Sequence, residues 1–467
     1  MVVDSYACLA HPSFDRDVHE VVRRARYSGV EIVLSAGAAN LCGASAERTL
    51  ELARTHDAVY AAIGIRPKDA ASLDSRLLNQ LNRWLGQPKV SFLGGIGLDY
   101  SLKDADRESQ LRALTLQLRI ARERRLPLAL HCRGAWRDLV RILQEEAGGR
   151  RYCGFLHDFA GSPKAGLELA GMGLLLSFSG RVARGVSGNL ARLLAGLRLD
   201  QVLVETDAPH RALPSSGRRS EPADAVAVAR ALAQAMDVTF TDVARNTTRN
   251  FRKLAGLPLP RDGDILVYQI RDRLYVNLTN RCTARCVFCR RESDPVASGY
   301  DLSLSRDYSA AEYLEAIGDP RHYAEIVFCG FGEPTLRLPE LVEIARFAKS
   351  HGVRTRVNTN GHGNLIHGRN IVPELAPCLD EVSVSIDTAD PQSYEKLVRP
   401  DFGPESFRAV IDFILLCKVA IPQVTITVVD LPTVDLEACR RLAQELGVEF
   451  RGRAYQPMVG STDFLKE

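Results

Sequence analysis

The chain has 467 residues, 46% of them hydrophobic and 25% charged, with 60 basic and 57 acidic side chains and a formal net charge of +3. That near-balance makes no case for a nucleic-acid-binding face, and no apolar run approaches the roughly 18 residues of a membrane span. Eleven cysteines are too sparse for a disulfide scaffold, and no charged-then-apolar leader opens the chain, so a reducing, cytoplasmic setting and two or three domains are expected.

In chain order, residues 2–9, 31–37, 59–65, 90–99, 127–132, 152–159, 173–179 and 202–206 form short, nearly continuous apolar runs, with amphipathic stretches such as 109–124 between them. Eight strand–helix units in about 250 residues match a (β/α)8 TIM barrel, whose parallel strands are buried on both faces. A helical pattern at 240–254 is followed by residues 258–264, which have the Pro, Gly and Asp content of a connector. The first unit is therefore expected over 1–258 and the second over 263–467, with the boundary near Asp262. In the second unit, strand-like runs at 274–278, 325–329, 355–358, 381–386, 424–429 and 449–455 predict six parallel strands. That is a partial (β/α)6 barrel, because sequence for two further units is missing. The expected fold class is α/β throughout.

Chemistry concentrates at the strand ends of the second unit. Cys282, Cys286 and Cys289 have C-x3-C-x2-C spacing, and three soft thiolates leave a cubane [4Fe-4S] cluster one protein ligand short. The Cys-x2-Cys pair is also compatible with a structural zinc site. Cys329 closes an apolar run and reads as a small buried hydrophobe. It opens the stretch Cys329-Gly330-Phe331-Gly332-Glu333-Pro334, and polar groups return at Asn358-Thr359-Asn360-Gly361 and Ser385-Ile386-Asp387. Taken singly, Asn-Gly is a turn signal and Ser-x-Asp a helix cap; in barrel enzymes such positions also carry function.

In this order and spacing, these motifs resemble the radical S-adenosylmethionine (radical SAM) superfamily over nearly all of 263–467. The resemblance implies that the three thiolates hold three irons while the amino and carboxylate groups of S-adenosylmethionine chelate the fourth. An electron from the cluster then cleaves the sulfonium C–S bond. By the same resemblance Phe288 lies near the adenine, Gly332 and Glu333 meet the cofactor ammonium, and Asn360, Ser385 and Asp387 face the ribose and methionyl part. Arg399 reads either as a partner of the cofactor carboxylate or as a solvated charge. An electron donor such as flavodoxin or ferredoxin is implied, and the substrate is left open between a small molecule, a nucleotide-type compound and a peptide.

The first unit resembles TatD-type metal-dependent hydrolases through residues 94–99, His131-Cys132-Arg133, residues 156–161, residues 177–180 and Glu205-Thr206-Asp207-Ala208-Pro209. His131, His157 and Asp207 end strands five, six and eight and would share one mouth. The family's site holds two divalent ions, but here Tyr6 and Cys8 stand at the His-x-His positions, Gly95 at the bridging glutamate, and Arg66 and Lys68 at later histidine positions. Three readings follow. A single divalent ion, zinc or another, sits on His131, His157 and Asp207 with Cys8 or water; or Arg66 and Lys68 replace metal charge and hold a phosphate or carboxylate; or the barrel is a structural remnant. The leading expectation for the chain is a radical SAM enzyme with a substrate-binding or vestigial barrel. Its rivals are a metal-dependent deoxyribonuclease or phosphodiesterase with an accessory Fe-S domain, and an iron-sulfur redox sensor.

Overall fold

Strands β1 (Val2–Ala7), β2 (Val30–Ala38), β3 (Val59–Gly64), β4 (Val90–Asp99), β5 (Leu128–Arg133), β6 (Gly154–Leu156), β7 (Leu174–Phe178) and β8 (Val202–Val204) pair in sequence order, each parallel to the next. In this computed structural model, residues 1–103, 106–214, 218–259 and 263–455 are described. The expected boundary residue Asp262 and the last residues of the expected second unit, 456–467, lie outside them. A bridge between Ala7 and Ala208 brings the segment after β8 back to β1, giving the (β/α)8 barrel. Its interior is filled by Leu34, Phe92, Phe155, Leu175 and Leu203, and Phe251 and Leu254 from the helix Phe240–Leu254 join the same cluster. The Phe92 ring lies edge-on to Phe155 with centroids 5.5 Å apart. Burying each such side chain contributes roughly 1.5–3 kcal/mol. Bulky residues packed in this way make the barrel centre solid, so ligands are confined to its rim.

The second unit adds β9 (Val267–Ile270), β10 (Arg273–Val276), a short hairpin of β11 (Val296–Ala297) and β12 (Tyr300–Asp301), then β13 (Glu325–Phe328), β14 (Arg354–Thr359), β15 (Glu381–Ser385), β16 (Gln423–Asp430) and β17 (Glu449–Ala454). The sheet order is β17-β16-β15-β14-β13-β10-β9. The six strands from β10 to β17 in this sheet run parallel, as expected from the sequence, while β9 adds an antiparallel edge beside β10. Right-handed crossover helices cannot join β9 to β10 across two residues, so a tight antiparallel reversal is the available connection. Arg356 is buried between Glu325 at 3.1 Å and Glu381 at 3.9 Å, which keeps a charge away from water only in paired form.

Candidate functional sites

The cysteine triplet lies in the loop that leaves β10. A second segment holds that loop in place. Arg285 N–H donates to the Val398 carbonyl at 3.0 Å, Val287 N–H to Leu397 at 2.9 Å, and Asp401 N–H to Thr283 at 2.9 Å, with an antiparallel bridge between Ala284 and Pro400. Arg399, a candidate for the cofactor carboxylate, is exposed and contributes its carbonyl to this zipper. Cys282 and Cys286 are half-buried and Cys289 is exposed. Burial pushes the Cys282 thiol up to about 11 and the Cys286 thiol further, so neither is a thiolate until a cation favours deprotonation. Phe288 is half-buried in the same loop. A set of three thiols, soft ligands, fits an iron-sulfur cluster.

The strand-end motifs surround this loop. Gly332 is a point of close approach: a Cβ there would lie 2.1 Å from the Thr279 carbonyl oxygen and 2.6 Å from that of Arg281. Glu333 N–H donates to the same Arg281 carbonyl at 2.8 Å. The buried Glu333 carboxylate accepts from the Thr335 N–H and hydroxyl at 3.0 and 2.7 Å, the Thr359 hydroxyl at 2.7 Å and the Asn360 N–H at 2.7 Å. It thereby ties the β13 loop to the end of β14. Asn360 in turn points its amide at Thr283 Oγ1, 3.1 Å away, and at Cys282 Sγ, 3.7 Å away. Asp387 is buried beyond β15 with its carboxylate accepting from Val429 N–H at 2.9 Å. Arg453 donates to Ser385 Oγ at 3.1 Å and lies 3.8 Å from Asp387. Asp387 and Glu333 both add negative charge near the cysteines.

Thr283 also meets His362 Nδ1 at 2.9 Å, and His362 Nε2 meets the Tyr394 hydroxyl at 2.9 Å. Burial holds the fully enclosed His362 down at about 4, so the folded imidazole is neutral. The unfolded histidine, near pH 6.5, takes its proton first. Stability is therefore complete above that pH and is lost as pH falls towards 4. Between pH 7 and pH 5 the loss amounts to about 2 kcal/mol, and His362→Gln flattens it; thermal melts of both proteins across this range check the prediction.

In the first unit a cavity of about 460 Å³ opens at the C-terminal end of the barrel. Tyr6, Arg66, Lys68, His131, His157 and Asp207 all line it, so the strand-end residues expected to share a mouth do so. His131 Nδ1 stands 2.7 Å from His157 Nε2, and His131 Nε2 stands 3.1 Å from Asp99. Burial drives both imidazoles towards the neutral form. Burial works against the Asp99 carboxylate too, but hydrogen bonds from His131 and Ser101 overcome it and hold the group down at about 2, while burial raises Asp207 to about 7. Tyr6 stacks on His157 with centroids 4.1 Å apart and planes 11° apart. A Cβ on Gly95 would lie 2.4 Å from the Tyr6 hydroxyl oxygen. The phenol thus fills the space in which a side chain from position 95 would begin, and a bridging glutamate there would require Tyr6 to move. The residues present do not fit a two-ion site. Among the described residues, no three His, Cys, Asp or Glu side chains converge as ligands of one ion.

A family model described as TatD-related DNase matches residues 3–256, more than half of the chain. The chain belongs to the TatD-related DNase family. A second model, the radical SAM superfamily, matches residues 276–446, so the protein is a TatD–radical SAM fusion and, through both domains, an enzyme. The uncharacterized metal-dependent hydrolase YabD of Bacillus subtilis is 32% identical over 255 residues, 54% of this chain and 98% of that relative. The 3'-5' ssDNA/RNA exonuclease TatD of Pectobacterium carotovorum is 30% identical over 257 residues, 53% of this chain and 97% of that relative. The crystal structure of YJJV, a TatD homolog from Escherichia coli K12, superposes with a TM-score of 0.50 at 27% identity, covering 55% of this chain and 98% of that one. The TatD-type unit is thus present at full length. Among the described residues no helix is long and apolar enough to cross a membrane.

Sequence reading of the TatD-type unit quoted Asp99, Arg133 and Asp158 only within family motifs and gave them no role, although Arg133 stands two residues beyond His131, on the same face of β5, and it did not single out Arg211. Arg211 carries no local signal, and nothing local links it to Asp158. Their pairing, at 2.8 Å, joins segments distant in sequence. In the radical SAM unit, Thr283, His362 and Arg453 are likewise additions made by the fold.

Proposed function

We infer that Cys282, Cys286 and Cys289 hold a [4Fe-4S] cluster at which S-adenosylmethionine is reductively cleaved, and that the TatD-type barrel binds rather than hydrolyses its ligand. The observation that carries the radical reading is the pinned three-cysteine loop, with the Asn360 amide turned towards Cys282 Sγ and Glu333 fastening the neighbouring strand ends. When bound, the cluster and cofactor supply one-electron cleavage of the sulfonium C–S bond, giving methionine and a 5'-deoxyadenosyl radical that takes hydrogen from the substrate. The protein's own part is positional. Asn360 orients the Cys282 side of the loop, the half-buried Phe288 offers a face for adenine, and the Ser385–Arg453–Asp387 group provides polar contacts for ribose and methionyl atoms. A flavodoxin- or ferredoxin-type donor in a reducing, cytoplasmic compartment supplies the electron. The substrate is a small molecule, a nucleotide-type compound or a peptide.

The test is anaerobic reconstitution of the full chain with iron and sulfide, followed by dithionite and S-adenosylmethionine. Chromatography should detect 5'-deoxyadenosine and methionine. A cluster-loaded chain that forms neither, or freshly isolated protein holding zinc alone at the triplet, defeats the reading.

For the barrel, the Tyr6–Gly95 contact argues against phosphodiester hydrolysis, because two-metal catalysis needs charged oxygen ligands where the phenol stands. Incubation with single-stranded DNA and added manganese or zinc is expected to give no cleavage above a protein-free blank. Metal-dependent cleavage that disappears in His131→Ala or Asp207→Ala would instead establish the hydrolase reading.

A further inference from the structure

We propose that the barrel mouth is a metal-free site for a phosphomonoester group, formed by Arg66, Lys68, Arg133 and Arg211 around the hydroxyl of Tyr6. This rests on the reading of the barrel as a binding domain and assigns its ligand a chemical class. The first observation is charge. Four cationic side chains line the cavity against the carboxylates of Asp99 and Asp207. Arg211 at 2.8 Å and Arg133 at 3.6 Å share the Asp158 carboxylate with Arg181, which stands outside the cavity lining at 3.7 Å, and Arg211 also lies 3.8 Å from Asp207. These carboxylates orient the guanidinium groups that face the cavity. Arg66 is paired with Asp69 at 3.2 Å, whereas no carboxylate lies within ion-pair distance of Lys68 among the described residues. The wall therefore carries an excess of positive charge, and guanidinium forks match the paired oxygens of a phosphate.

The second observation is independent of charge. Tyr6 is 4% exposed, yet its hydroxyl has no hydrogen-bond partner among the described residues, and it lines this cavity. Open to the cavity, that hydroxyl is available to donate to a ligand oxygen. The same hydroxyl occupies the space beside Gly95, so the position that lacks the bridging carboxylate faces a donor. A cavity of about 460 Å³ accommodates a phosphorylated small molecule. A carboxylate ligand shares part of this chemistry but carries one charge fewer and presents two oxygens rather than three.

Isothermal titration of the full chain in EDTA, with inorganic phosphate and AMP as probes and acetate as the carboxylate arm, tests the proposal. Phosphate and AMP should bind without added metal, and acetate at least tenfold more weakly. Lys68→Ala should weaken phosphate binding at least tenfold and Tyr6→Phe severalfold, with both variants melting as the wild type does. Tyr6→Phe keeps the ring that stacks on His157, which separates the hydroxyl's role from folding. Absence of phosphate binding, dependence on added zinc or manganese, equal affinity for acetate, or variants that bind as the wild type does would overturn it. Cleavage of single-stranded DNA with added manganese or zinc, measured on the same preparation after EDTA is removed, reports on the binding-domain reading alone, so the two can fail separately.

Discussion

Cys286→Ala is expected to lower 5'-deoxyadenosine formation to the background of cluster-free protein. The half-buried Cys286 lies at the centre of the triplet, one turn of chain from Cys289, whose N–H donates to the Cys286 carbonyl at 3.0 Å. Removal of its thiol leaves two soft donors in a loop whose backbone is still pinned to residues 397–401, so the loop persists while the ligand set does not. Iron and sulfide content after anaerobic reconstitution should fall with activity. Cys329→Ala is the control. Cys329 directly follows β13, its N–H donating to the Val276 carbonyl at 3.0 Å and its carbonyl accepting from the Tyr268 hydroxyl at 3.1 Å, and it lies outside the C-x3-C-x2-C loop, so iron content and 5'-deoxyadenosine formation should survive its loss. Retained product in Cys286→Ala, or lost iron in Cys329→Ala, would reassign the cluster ligands.

Both parallel sheets were legible in the sequence because strands buried on two faces are written as continuous apolar runs, and the cysteine triplet because its ligand spacing is local. The strand-end polar groups were legible for the same reason: a barrel places them at predictable points along the chain. What could not be read depends on contacts between distant segments. Tyr6 and Gly95 appear in sequence as two separate departures from a metal site, and only the fold shows one filling the space of the other. Glu333 was expected at the cofactor ammonium. Its carboxylate accepts four protein hydrogen bonds, which no spacing rule encodes. The edge strand β9 is four residues long with only Tyr268 fully buried, too short and too exposed to leave a clear pattern.

Gly332→Ala should combine loss of cluster with loss of stability in the radical SAM unit. The obstacle is backbone, not a movable side chain: the new methyl would meet the Thr279 and Arg281 carbonyl oxygens at 2.1 and 2.6 Å. Those two residues lead directly into Cys282, so relief of the clash has to displace the cluster loop or the Glu333 turn. Displacing the turn strains the Glu333 N–H to Arg281 bond and the four bonds accepted by the carboxylate. Overpacking of this kind costs about 3 kcal/mol, and the buried polar groups left without partners add to it. Gly318→Ala separates crowding from backbone strain, because Gly318 has φ +62° but nothing within 4 Å of its Cβ position. That variant should lose about 1–3 kcal/mol to backbone strain alone and keep its iron. Thermal melts paired with iron analysis distinguish the two outcomes. A Gly332→Ala protein that melts like Gly318→Ala and binds a full cluster would show that the loop has slack the close approach does not suggest.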